Sequence, residues 1–261
     1  MINCRICESP MREFESAVVL ASHQVQFLRC PDCGFIGTED PYWLDEAYAE
    51  AINRADVGLF RRNLRQAKVA KAVIGTFFRS DGKFVDFGGG YGLLTRLMRD
   101  AGFDFHRWDA HCENMFARGF DAGADGNFEL LTAFELFEHL VDPAAEVARM
   151  LSFAPNIFFT TELVPEPVPA PSQWWYYGLD HGQHVSFYTK KSLCRLAERF
   201  SLNLVTDGKS RHLMTKEKVS PLLFQLVSKY KVALVIDAVY RRRSLISEDY
   251  RMFAGQHDSG E

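Results

Sequence analysis

Four cysteines near the amino terminus stand in two pairs, Cys4-x-x-Cys7 and Cys30-Pro-Asp-Cys33, with 22 residues between the pairs (30 − 7 − 1). Each pair presents two thiolates to one ion, and two pairs complete a closed tetrahedral shell, the pattern of a structural zinc site. Iron fills the same four-thiolate set, and redox dithiols are the other common use of such pairs. A closed shell keeps no position open for a substrate, so the metal is expected to fold its segment rather than to react. The leftover cysteines, Cys112 and Cys194, stand far apart, so a reducing cytoplasm is expected rather than a disulfide framework. A second group is Gly88, Gly90 and Gly92, spaced two apart behind Asp86. Glycine lets the backbone approach a ligand closely and adopt positive φ. A dinucleotide-binding turn would place its third glycine at position 93, which is Leu93. A third group is His181 and His184, with Glu162 upstream; imidazole titrates in the range a general base needs.

These groups need elements to hold them. Lys83–Phe87 reads as a buried strand, Leu93–Asp100 as a helix, and Phe105–Asp109 as a second strand ending in an acid 23 positions after Asp86 (109 − 86). In open α/β sheets an acid there accepts hydrogen bonds from ribose hydroxyls; it would equally cap a helix starting near His111. The pattern Asp86-x-Gly88-x-Gly90-x-Gly92 resembles motif I of the class I S-adenosylmethionine-dependent methyltransferases. The run from Phe128 to Pro143, an apolar strand followed by Glu138-His139-Leu140 and Asp142-Pro143, resembles motif IV of the small-molecule members. The resemblance implies S-adenosylmethionine as cofactor, held by Asp86, Gly88, Gly89, Gly90, Asp109, Ala133 and Phe134. Glu138 and His139 are expected to hold the strand-to-helix connection together through local backbone bonds. Thr132-Ala133-Phe134-Glu135 matches neither the Asn/Asp-Pro-Pro-Tyr/Phe signature of base N-methyltransferases nor the Pro-Cys of cytosine C5 enzymes. With a net charge of −4, no basic footprint for a phosphate backbone is present, so nucleic acid is not an expected partner.

At 261 residues and 47% hydrophobic, the chain is long enough for one sizeable core with appendages. Residues 1–38 read as a zinc ribbon and 39–80 as a helical connector or lid carrying Tyr42 and Tyr48. Residues 81–216 read as the S-adenosylmethionine-binding domain, with a substrate-facing insertion at 163–189, and 217–261 as a C-terminal helix and tail. Strands and helices alternate, including a helix over Glu113–Arg118. The expected class is therefore α/β: a Rossmann-like, doubly wound, mainly parallel seven-stranded sheet with a small N-terminal zinc ribbon and a C-terminal helical extension. A helix from Leu59 to Phe78 would bury Leu64, Ala67, Val69, Val73 and Phe77. The C-terminal apolar run is broken by Lys229, Lys231 and Asp237, so no membrane span is expected. Its Arg241-Arg242-Arg243 end is expected to pack on its own domain.

The insertion begins with a proline-rich excursion and continues through Trp174-Trp175-Tyr176-Tyr177 to His181 and Gln183-His184, ending at Thr189. Ligands bind outside the carboxyl ends of the strands in such sheets, and this segment leaves one of those ends. Zinc knuckles ahead of this type of core resemble the nucleotide-sugar methyltransferases of polysaccharide and antibiotic-sugar pathways. That resemblance implies methyl transfer to oxygen or carbon of a small molecule, a nucleotide-linked or glycan sugar, with His184 as general base, His181 as second choice and Glu162 orienting either or contacting substrate. The long C-terminal domain of those sugar enzymes is missing here. Other readings are a non-catalytic cofactor-binding zinc-ribbon module and a methyltransferase of protein or RNA. Oligomeric state is not legible.

Overall fold

A computed structural model of the chain describes residues 2–49, 57–123 and 127–254. Part of the expected connector (50–56) and the tail (255–261) lie outside the described residues. The central sheet has six strands among the described residues, in the order β5-β4-β6-β7-β10-β9. These are β4 (Lys83–Phe87), β5 (Asp104–Trp108), β6 (Leu130–Ala133), β7 (Ile157–Thr160), β9 (Asn203–Thr206) and β10 (Arg211–Thr215). The first four run parallel; β10 is antiparallel to β7 and to β9. A seventh strand of this sheet is not present among the described residues; beside β5 lies one isolated parallel bridge, Arg107 to Asp121.

The helix expected over Glu113–Arg118 is likewise replaced by bends and a turn. Here the Asn114 side chain takes the backbone for itself: Oδ1 accepts from the Ala117 N–H (2.9 Å) and Nδ2 donates to the Ala117 carbonyl (2.6 Å). Such side-chain bonds compete with a helical ladder.

Two helices start as their sequences dictate. Asp142 accepts from the Ala144 and Ala145 amides at 3.1 and 3.0 Å, with Pro143 at the first position of α4 (Pro143–Phe153). Thr189 caps α5 (Lys190–Arg199) by accepting from the Ser192 amide at 3.0 Å. Helix α2 (Leu59–Phe77) buries Ala67, Val69, Ala70, Val73 and Ile74 against the sheet, whereas Leu64 stays 38% exposed. Helix α3 (Leu93–Asp100) follows the glycine turn.

A second, antiparallel sheet has the order β1-β2-β3-β8, with β1 (Arg12–Val19), β2 (His23–Arg29), β3 (Ile36–Thr38) and β8 (Ser186–Phe187). Its last strand comes from the insertion, 148 positions after the end of β3 (186 − 38). The amino-terminal segment and the insertion therefore share one sheet and one core, in which Phe27, Ile36, Trp43, Tyr177, Val185 and Phe187 pack together. The short α1 (Leu44–Ala47) joins it: the Trp43 indole N–H donates to the Gly182 carbonyl at 2.8 Å.

The carboxyl-terminal helices α6 (Pro221–Val227), α7 (Tyr230–Val239) and α8 (Ile246–Ala254) fold back on the domain. Arg242 lies over the Phe103 ring at 5.0 Å and donates to the Gly102 carbonyl at 2.9 Å, while Asp249 binds Arg99 through both oxygens. No described helix is long and apolar enough to cross a membrane.

Candidate active site

The glycine turn sits at the carboxyl end of β4. Gly88, Gly90 and Gly92 all have positive φ (69°, 53° and 85°), a region that side chains strain to enter. At Gly92 an added Cβ would lie 2.6 Å from Asn114 Oδ1, whereas at Gly90 it would meet nothing within 4 Å. The turn thus has backbone facing open space at Gly90, the shape needed to receive a ligand. Asp109 organises it from the neighbouring strand: Oδ2 accepts from the Gly90 amide, and Oδ1 from the His111 and Cys112 amides, each at 2.8 Å. The expected cap near His111 is therefore formed, on a turn rather than a helix. Arg107 clamps the same loop, donating to the Gly90 carbonyl at 2.5 Å and to Asp121 at 2.9 Å. Sequence reading passed over this arginine because nothing in its spacing marks it.

Asp86 lies beneath the turn, buried, and accepts from the Thr132 hydroxyl at 2.8 Å. Burial pushes its carboxyl up to about 7, against the Thr132 bond that favours ionisation. Ala133 is buried at the end of β6, and Phe134 packs edge-on against Phe158. Next, Glu135 adopts φ 53°, with its amide donating to Thr160 Oγ1 at 2.8 Å and the Thr160 hydroxyl returning a bond to Glu135 Oε1 at 2.7 Å. A strained non-glycine residue held on both sides marks a point where the fold over-determines the chain. The following Leu136 covers Gly88, its methyls 3.0 Å from where a Cβ would stand. One residue later the chain reaches Phe137-Glu138-His139, so the glycine turn and this segment are neighbours.

Here the structure brings together residues that the sequence keeps apart. The rings of His139 and His184 lie 4.8 Å apart, and those of His181 and His184 4.6 Å apart. His184 Nδ1 is 2.6 Å from the Tyr176 carbonyl; a carbonyl only accepts, so Nδ1 carries the proton and Nε2 keeps its lone pair. The Tyr48 hydroxyl sits 2.8 Å from His139 Nδ1. Glu138 is 1% exposed, near the Tyr176 and Thr161 hydroxyls, with Oε2 unpartnered among the described residues. Burial, with Glu135 nearby, pushes the Glu138 carboxyl up to about 8. Burial also draws His139 down to about 4 and holds His184 well below its ordinary value, the neighbouring histidines adding to the effect. The cluster is therefore neutral near pH 7: a protonated carboxyl and two uncharged imidazoles.

These shifts predict opposite pH effects on stability. His139, depressed from 6.5 to about 4, gives stability that is present above pH 6.5 and lost as pH falls through 4. Glu138, raised from 4.5 to about 8, gives stability that is present below pH 4.5 and lost as pH rises through 8. Thermal melts of wild type should fall between pH 6 and pH 9, and Glu138→Gln should flatten that fall by several degrees, on the order of a few kcal/mol. An unaltered slope in the variant would rule out Glu138 as its source.

The other expected site features fall as follows. Glu162 is half-buried with its carboxyl raised by burial, and its charged neighbours are Lys209, Glu135, Asp207 and Arg211; only its amide, donating to the Tyr176 hydroxyl at 3.1 Å, links it to the cluster. His181 accepts from the Gln183 amide at 3.2 Å through Nδ1. Of the aromatic run in the insertion, Tyr176 and Tyr177 are core residues and Trp175 alone is largely exposed, at 76%. Glu138 and His139, expected to serve only the backbone, belong to the cluster. Their adjacency in an otherwise apolar run was the available signal.

The four amino-terminal cysteines converge as their spacing requires. Cys4 Sγ lies 3.6 Å from Cys33 Sγ and Cys7 Sγ 3.5 Å from Cys30 Sγ, near the separation of about 3.8 Å that four sulfurs keep around a tetrahedral ion with bonds of about 2.3 Å. The Cys33 bond lowers the Cys4 thiol to about 5, while Cys33 itself is pushed up: one thiolate is shared between neighbours that repel further charge. The donor set and spacing fit a four-thiolate metal centre.

A family model described as a methyltransferase domain matches residues 60–207, more than half of the chain and the whole stretch from α2 to β9. The chain belongs to this methyltransferase family. Among solved structures it is similar to magnesium protoporphyrin IX methyltransferase from Synechocystis PCC 6803, at 13% identity over 68% of this chain and 90% of that one, with a TM-score of 0.42. It is also similar to the 1,6-didemethyltoxoflavin-N1-methyltransferase of Burkholderia thailandensis, at 15% identity over 77% of this chain and 97% of that one, with a TM-score of 0.47. A search of curated proteins returned no match.

Proposed function

We propose that this methyltransferase moves the methyl group of S-adenosylmethionine to an oxygen or acidic carbon of a small molecule, with His184 as the general base. The observation that carries the reading is the unprotonated Nε2 of His184, held by the Tyr176 carbonyl and joined to the glycine turn through Leu136 and Glu138. The sulfonium cofactor supplies an already activated methyl carbon, so the protein's task is alignment and deprotonation. Asp86, Gly88, Gly89, Gly90, Asp109, Ala133 and Phe134 would hold the cofactor; the open space at Gly90 fits it. As the acceptor attacks the methyl carbon, its proton would pass to His184 Nε2. His181 is the alternative base, and Glu162 would contact substrate from the end of β7. Exposed Trp175 would stack a flat or sugar face of the acceptor, and a nucleotide-linked or glycan sugar is the acceptor class proposed. Cys4, Cys7, Cys30 and Cys33 would bind a structural zinc ion; the converging sulfurs support this.

The test is calorimetric titration with S-adenosylmethionine and S-adenosylhomocysteine, beside Asp109→Ala, followed by screening of nucleotide sugars. Asp109 accepts three amide bonds, each worth about 1.5–3 kcal/mol to a charged group. Removing it should weaken cofactor binding on the order of 30-fold or more, a loss of about 2 kcal/mol. Equal affinity in the variant, or none in the folded wild type, would defeat the reading.

A further inference from the structure

We infer that Glu138, His139 and His184 form a second metal site, taking one divalent transition ion of borderline character, and that an ion bound there blocks the base. Their ligand atoms lie within 4.8 Å of one another. A zinc-like ion with bonds of about 2.1 Å needs ligand atoms about 3.4 Å apart, within reach of rotamer adjustment. Two imidazoles and one carboxylate form the donor set that such ions prefer over magnesium or calcium. The His184 ring is already held as a metal-ligating histidine is held, its Nδ1–H spent on the Tyr176 carbonyl. The third ligand supplies the independent observation: Glu138 is 1% exposed, and its Oε2 is buried with no hydrogen-bond partner among the described residues. A buried acceptor left unmade costs about 1–3 kcal/mol, and an ion shared with the two histidines would satisfy it. The Tyr48 hydroxyl, 2.8 Å from His139 Nδ1, would stand at the edge of such a site.

The consequence for chemistry is direct. Coordination consumes the Nε2 lone pair of His184, so the same nitrogen cannot then accept a proton from the acceptor. The binding half of the inference stands on the three side chains alone; the blocking half rests on the reading of His184 as base.

The test uses full-length protein with its four-cysteine centre filled by zinc, titrated with Co2+. The expected result is one further cobalt per chain, with a weak visible spectrum lacking the thiolate charge-transfer band, and a methyl-transfer rate that falls in step with occupancy. His184→Asn and, independently, Glu138→Gln should lose this equivalent while melting cooperatively with the zinc centre intact. No further cobalt, or a further equivalent that survives in both variants, overturns the site. Full transfer activity with the site filled overturns the block. Calorimetry with S-adenosylhomocysteine on the same samples keeps the questions separate: failure to bind it would defeat the methyl-transfer reading, while the cobalt count still decides the site.

Discussion

Replacing His184 by asparagine should lower kcat by about 10²–10⁴-fold, the range supplied by a positioned base, with cofactor affinity unchanged. The organising contacts of the glycine turn come from Asp109 and Arg107, so binding and turnover should separate cleanly in this variant. Asparagine can still donate to the Tyr176 carbonyl, which keeps the local backbone tied. The pH profile provides a second readout. Burial, with His139 beside it, holds His184 well below the ordinary histidine value, so the base stays unprotonated into mildly acidic solution. The acid limb of kcat/KM should accordingly fall below pH 6.5, and it should vanish in the residual activity of the variant. Steady-state kinetics across pH checks both points. A variant as fast as wild type would shift the assignment to His181, whose replacement is the paired control.

Stripping metal from the four-cysteine centre should abolish turnover while leaving cofactor binding largely intact. Structural zinc in small sites contributes on the order of 10 kcal/mol of folding free energy, as large as the whole stability of a typical domain. The part of the chain that depends on it is the antiparallel sheet, and that sheet includes β8. Gly34, in the second knuckle, packs under Thr189, whose hydroxyl donates to the Cys33 carbonyl at 2.7 Å. Between that contact and the Glu138–His139–His184 cluster, Ile36 pairs with Phe187, the Ser186 hydroxyl donates to the Leu140 carbonyl (2.6 Å), and the Val185 amide donates to the Glu138 carbonyl (2.8 Å). Loss of the ion should therefore release His184 from Glu138 and His139. Chelation followed by parallel calorimetry and activity assays measures this, and Cys30→Ser repeats it by mutation. Full activity in metal-free protein would show that the sheet holds without the ion.

What could be read from the chain alone was whatever local chemistry writes into adjacent residues. The glycine spacing after Asp86, the capped start at Asp142-Pro143 and the paired cysteines each encode a backbone conformation or a ligand geometry within a few positions. For that reason β4, α4 and the four-sulfur cluster were legible, and Asp109 at the end of β5 followed from the same strand-turn logic. The expected helix at Glu113–Arg118 failed because one side chain, Asn114, outbid the backbone ladder, a contest that periodicity does not register.

Only the tertiary structure decided how the amino-terminal cysteines relate to the chemistry. A strand of two residues, Ser186–Phe187, carries almost no pattern of its own, because its stability comes from β3 far away in sequence. That pairing joins the amino-terminal sheet to the insertion and fixes His184 beside Glu138 and His139. The protonation states follow from the burial so created, which pushes the Glu138 carboxyl up to about 8 and draws His139 down to about 4. Burial is a property of everything packed around a group, which is why the residue types were visible in the sequence and their chemistry was not.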